Sequence, residues 1–84
     1  MDSLSRKVRG IIAVELQHEV ERVVPTARLR QDLGMDSVAA LNILFAAEET
    51  FGIEAIDVTE LAPVSTVADV EALVRQYVDL SRAS

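Results

Sequence analysis

The sequence predicts an all-α fold, a small four-helix bundle with three longer helices and one short third helix. Three observations carry that prediction. Apolar residues recur at helical spacing in three separate segments. Helix-stopping and helix-starting residues, among them Pro25, Gly52 and Pro63, punctuate those segments. No segment shows the two-residue alternation of a half-buried strand. The chain has 84 residues, half of them apolar, and only Phe45, Phe51 and Tyr77 are aromatic. One domain with an aliphatic core follows. It is placed over residues 1–84, with its core from about 4 to 80 and a frayed tail over 81–84.

The first helix is expected from Ser3 to about Glu19. Leu4, Val8, Ile11, Ile12 and Leu16 form one apolar stripe, with Arg6, Lys7, Arg9, Glu15 and Gln17 on the outer face. His18, near the predicted helix end, reads as a surface residue. Periodicity is lost from Val20 to Met35, where Pro25 breaks any helix. Apolar Val23, Val24, Leu29 and Leu33 should pin this long loop to the core, and loops of such length are often functional.

Helix two is expected from Ser37 to Phe51. At about 100° per residue, Ala40, Ile43, Leu44, Ala47 and Phe51 share the core side. Val38, Leu41, Asn42, Phe45 and Glu49 fall on another side, with Glu48 at its edge. Gly52 is placed to cap the helix C-terminus. Asp57-Val58-Thr59-Glu60 and Thr66-Val67-Ala68-Asp69 both resemble capping boxes. They open a short helix from Val58 to about Leu61 and a last helix from Val67 to about Leu80. The last helix turns Val67, Val70, Leu73, Val74 and Tyr77 inward.

Charge and composition exclude several functions. The net charge of −6 argues against nucleic-acid binding. Residues 1–30 hold six basic and four acidic residues, whereas residues 31–84 hold ten acidic and two basic ones. The acidic part would steer basic partner patches. There is no Cys and a single His, which removes disulfides, thiolate sites and His-based metal clusters. His18 alone gives Ser37 no catalytic triad. Glu48 and Glu49 are adjacent on a helix, so they cannot face each other as catalytic carboxylates. No apolar run is long enough to span a bilayer, and a cytoplasmic monomer that engages neither membrane nor nucleic acid is expected.

One stretch remains, Asp32-Leu33-Gly34-Met35-Asp36-Ser37-Val38. Gly34 frees the backbone to turn. Asp36 and Ser37 are both good helix-start residues, and a helix N-terminus favours a neighbouring phosphate. Taken by itself, a Ser or Asp before an apolar helix is usually only a cap.

The run Asp32-Leu33-Gly34-x-Asp36-Ser37 resembles the signature of acyl carrier proteins and of the wider phosphopantetheine-dependent carrier family. The resemblance continues through Glu48-Glu49-Thr50-Phe51-Gly52-Ile53 and covers about Leu4 to Tyr77. It implies an acyl-carrier-protein-like bundle that is not an enzyme. A phosphopantetheinyl transferase would attach 4′-phosphopantetheine covalently to Ser37, and the thiol of that arm would hold acyl or aminoacyl cargo as a thioester. Partners would be that transferase, an acyl- or aminoacyl-loading enzyme and a downstream synthase or transferase. Matching positions assign Asp36 to recognition by the modifying enzyme and Val38, Phe45, Glu48 and Glu49 to partner contacts. Fatty-acid carriers of this kind usually carry more acid early in helix two than the Val38-Ala39-Ala40-Leu41-Asn42 turn found here. A specialised polyketide, peptide-type or modified fatty acyl pathway is therefore expected.

Two other readings stay open on sequence alone. One is an unmodified acidic helical interaction domain that uses the helix-two face. The other is a regulatory protein phosphorylated on Ser37. Small Ala40, Ala47 and Ala62 leave room for an acyl chain between helices two and three, or merely allow close helix packing.

Overall fold

The computed structural model describes residues 3–54 and 56–83. Three α-helices are found among them, α1 (Ser3–Leu16), α2 (Ser37–Phe51) and α3 (Val67–Ala83). Two 3₁₀ turns, Val20–Arg22 and Val58–Leu61, lie in the connections. The all-helical expectation holds. The expected short third helix is a four-residue 3₁₀ turn instead. Its bonds run from Glu60 N–H to the Asp57 carbonyl and from Ala62 N–H to the Thr59 carbonyl, and Pro63 stops it before a full α-turn can close.

Helix α1 packs on both α2 and α3. Its Val8 and Ile12 are fully buried, as are Leu29, Val67 and Val74. Each such side chain contributes about 1.5–3 kcal/mol. The core side predicted for α2 is correct. Ala40, Ile43, Leu44 and Ala47 are buried, and Phe51 packs half-buried against them. A polar link joins α1 to α3, from the Ser5 hydroxyl to Glu71 Oε1 at 2.7 Å.

Helix α1 ends at Leu16, three residues before the expected end near Glu19. Gln17 takes a left-handed backbone with φ 57°, and His18 N–H reaches back to the Ala13 carbonyl at 3.0 Å. That six-to-one closure is a Schellman turn built without glycine. Two side chains placed outside by the sequence reading hold the turn that follows. Arg9 donates from Nε to the Val23 carbonyl (2.6 Å) and from Nη2 to the Val20 carbonyl (3.1 Å). His18 is half-buried rather than on the surface, and its Nε2–H donates to the Leu33 carbonyl at 2.9 Å.

The long loop is pinned as expected through Val23, Leu29 and Leu33, and also through Ala27 and Met35, whereas Val24 is exposed. Its middle zips onto the start of α3. Leu29 N–H donates to the Ser65 carbonyl, Val67 N–H to the Ala27 carbonyl, and Ala68 N–H to the Pro25 carbonyl, around an antiparallel bridge between Arg28 and Thr66.

Both predicted cap pairs exist in modified form. At α3, Asp69 Oδ2 accepts the Ser65 and Thr66 N–H groups while the Thr66 hydroxyl accepts the Asp69 N–H. Those donors hold the Asp69 carboxyl below its ordinary value. At the 3₁₀ turn, Asp57 Oδ1 accepts from the Thr59 hydroxyl and N–H, which likewise lowers Asp57. Glu60 does not reach back to Asp57. It accepts from the Tyr77 hydroxyl, and this bond raises the Tyr77 phenol above its ordinary value. Helix α3 continues to Ala83, so the first three residues of the expected frayed tail are helical, and Ser84 lies outside the described residues. Among the described residues, no helix is long and apolar enough to cross a membrane.

Candidate functional site

The site is the junction between the long loop and α2. Asp32 sets the loop end, where its Oδ2 accepts the Arg28 N–H at 2.8 Å and sits 3.7 Å from Arg28 Nε. The Asp32 and Leu33 N–H groups both return to the Arg28 carbonyl, and Gly34 N–H returns to that of Arg30. Gly34 then turns with φ 75°, a conformation costly for any residue with a Cβ. Met35 N–H closes on the Leu29 carbonyl at 2.9 Å, which ties the turn to a fully buried side chain. His18, through the Leu33 carbonyl, holds the same turn from the other side.

This tightly bonded loop delivers Asp36 and Ser37 with distinct jobs. Asp36 is the N-cap, with extended backbone (φ −117°, ψ −177°), and its Oδ1 accepts the Ala39 N–H at 2.8 Å. Ser37 is the first helical residue and is exposed. Its hydroxyl makes no hydrogen bond among the described residues. The sequence left the cap shared between the two side chains; the structure gives it to Asp36 and leaves the serine oxygen unspent.

A cleft of about 270 Å³ opens beside Ser37, lined by Arg30, Ser37, Ala40, Leu41, Val58, Leu61 and Ala62. It lies between α2 and the second 3₁₀ turn. Of the small residues read from the sequence, Ala40 and Ala62 line it, while Ala47 is buried in the core. Arg30 was missed. The signal available for it was that no Lys or Arg follows until Arg75.

The side of α2 turned away from the core is apolar near the serine. Val38 is 68% exposed and Phe45 is 60% exposed, with Leu41 between them and Val58 of the 3₁₀ turn also exposed. Glu49 is exposed on α2. Glu48 is separated from this group, because it is half-buried and its Oε2 accepts the Ile56 N–H at 2.7 Å. No group of three or more His, Cys, Asp or Glu side chains is placed to hold a metal ion among the described residues.

The class defined by this fold and site is a small helical domain that presents one unengaged serine at a helix start beside an apolar cleft. Comparison with known proteins gives that class its family. Residues 6–74 match the phosphopantetheine attachment site family. An acyl carrier protein of Thermosynechococcus vestitus is 41% identical over 64 residues, 76% of this chain and 78% of that protein. An acyl carrier protein of Akkermansia muciniphila is 37% identical over 75 residues, covering 89% and 92%. The acyl carrier protein MbtL of Mycolicibacterium paratuberculosis is 38% identical over 71 residues, covering 84% and 79%. The chain belongs to the phosphopantetheine-dependent carrier protein family, that of the acyl carrier proteins. It is a carrier and not a catalyst, and its cofactor is 4′-phosphopantetheine attached covalently to a serine. Family membership implies dealings with a phosphopantetheinyl transferase and with acyl-handling enzymes.

Proposed function

We propose that Ser37 is the attachment serine. The observation that carries this reading is the division of labour at the start of α2: Asp36 satisfies the Ala39 N–H, and the exposed Ser37 hydroxyl has no other task. The site also fits a phosphodiester in charge, since the free N–H groups of a helix's first turn favour an anion. The arm supplies a terminal thiol that holds cargo as a thioester, and the protein supplies presentation. A tethered cargo meets each partner at high effective concentration.

Partner enzymes dock on the face that begins at the serine. Val38 and Phe45 give it apolar contact area, and Asp36 and Glu49 give it charge. Glu48 contributes through the oxygen not bonded to Ile56. The partners are the phosphopantetheinyl transferase, a loading enzyme for acyl or aminoacyl cargo, and a downstream synthase or transferase. Exposed apolar Val38 and Leu41, in a helix α2 whose first turn carries no acid, support a specialised polyketide, peptide-type or modified fatty acyl pathway over housekeeping fatty-acid synthesis.

The test is to incubate apo protein with coenzyme A and a broad-specificity phosphopantetheinyl transferase, then measure intact mass. Wild-type protein is expected to gain one arm and Ser37→Ala protein none. A wild-type mass that does not change, or an arm that survives Ser37→Ala, overturns the assignment.

A further inference from the structure

We infer that Arg30 is the residue that holds the phosphodiester of the arm, placing its guanidinium against the phosphate on Ser37. The inference rests on Ser37 being the attachment serine.

Arg30 and Ser37 line the same small cleft, and the other five lining residues are Ala40, Leu41, Val58, Leu61 and Ala62. Arg30 is therefore the one charged residue on that wall. No carboxylate lines the cleft to neutralise it. Its neighbours in sequence use their cationic groups differently. Arg28 lies against Asp32, whereas the Arg30 guanidinium has no ion pair or hydrogen bond among the described residues. The base of the side chain is nevertheless fixed. The Arg30 carbonyl accepts the Gly34 N–H at 3.2 Å, and the adjoining Leu29 is fully buried. An anchored backbone with an unspent cationic head is suited to an anion that arrives from outside.

The charge pattern identifies that anion's need. A phosphodiester carries one negative charge at neutral pH, and on Ser37 it stands next to Asp36. The chain from Gln31 to Val74 contains no Lys or Arg, so no cation from that stretch offsets the repulsion. Arg30 is the last basic residue before it. Its planar guanidinium can offer two parallel N–H groups to two phosphate oxygens, a geometry that a Lys ammonium does not provide. The first atoms of the arm are then fixed at the cleft mouth instead of sweeping freely through solvent.

The experiment compares full-length apo protein with the thiol-terminated holo form, whose only added anion is the phosphodiester. Intact mass is measured first and scores Ser37 separately; wild-type protein that gains no arm on Ser37 overturns both readings. In the holo form the Arg30 Nε–H signal is expected to shift. Its exchange with solvent should slow about two- to fivefold, the factor that an exposed ion pair supplies. The phosphorus NMR signal of holo protein should move in Arg30→Gln and return part of the way in Arg30→Lys. Salt near 1 M, where the Debye length is about 3 Å, should remove most of the difference. A holo protein of verified mass with unchanged Arg30 Nε–H exchange, and with the same phosphorus signal in Arg30→Gln, overturns the inference and leaves Ser37 as the attachment site.

Discussion

Removing the side chain of Asp36 should destabilise the domain, and removing that of Ser37 should not. Asp36 Oδ1 takes the Ala39 N–H at 2.8 Å, and the Asp36 backbone is extended as an N-cap requires. In Asp36→Ala that donor turns to water, so the loss is partial, about 1 kcal/mol. A domain of this size has a urea slope near 1 kcal/mol per molar, so the unfolding midpoint of the apo protein should fall by about 1 M. Thermal unfolding should drop by about 4–8 °C. Asp36→Asn keeps the acceptor and should stay near wild type, less a small contribution from the helix dipole. Ser37→Ala removes an exposed hydroxyl without a partner and should remain within about 0.5 kcal/mol of wild type. Urea titrations followed by circular dichroism measure all four proteins. If Ser37→Ala fell as far as Asp36→Ala, the serine would share the cap and the separation of the two roles would be refuted.

Phe45→Ala should leave stability nearly unchanged, because that ring is 60% exposed, yet weaken partner binding by roughly tenfold as the loss of an aromatic anchor; titration calorimetry with the cognate loading enzyme checks it. Asp57 and Asp69 have folded-state pKa values depressed below the ordinary 3.8 by hydrogen bonds to their carboxylates. Their contribution is present above 3.8 and lost as pH falls through the lower folded values, so Asp69→Asn should flatten the acid limb of a stability-against-pH curve without creating a new transition near neutrality. Leu29→Ala opens a cavity at a fully buried site and should cost about 2–5 kcal/mol, read as a large drop in urea midpoint. His18→Ala removes the bond to the Leu33 carbonyl, and amide exchange over residues 33–36 should quicken while that of α3 stays unchanged.

Helix α2 was legible at both ends because its signals are local. Asp36 and Ser37 mark the start, and Gly52 marks the stop, where it takes φ 63° and donates to the Glu48 carbonyl. Its core side followed from periodicity alone. The end of α1 was not legible. No Gly or Asn marks Gln17, and the turn is held by Arg9 and His18, whose partners lie on the following segment and on the signature loop. Both side chains look like ordinary surface groups until the fold brings those carbonyls to them. The site divides in the same way. Ser37 stands out through a contiguous signature, whereas Arg30 joins the cleft only because the loop folds back toward Val58 and Leu61. The helical angle puts Glu48 at the edge of the outer side and the family resemblance assigns it to partner contacts, whereas its bond to Ile56 N–H depends on where the chain runs after Gly52.

The zip between residues 25–29 and 65–68 makes the chain's order of synthesis matter. A ribosome emits the serine long before it emits Val67, so a growing chain carries the signature without the segment that holds its loop in register. Until the last helix emerges, the Ala27 carbonyl and the Leu29 N–H lack their partners at Val67 and Ser65, and the turn before α2 is held only by its own bonds and by His18. A chain truncated before Val67 is therefore expected to hold the loop less firmly, and intact mass after incubation with coenzyme A and a transferase should show slower gain of the arm than in the full chain.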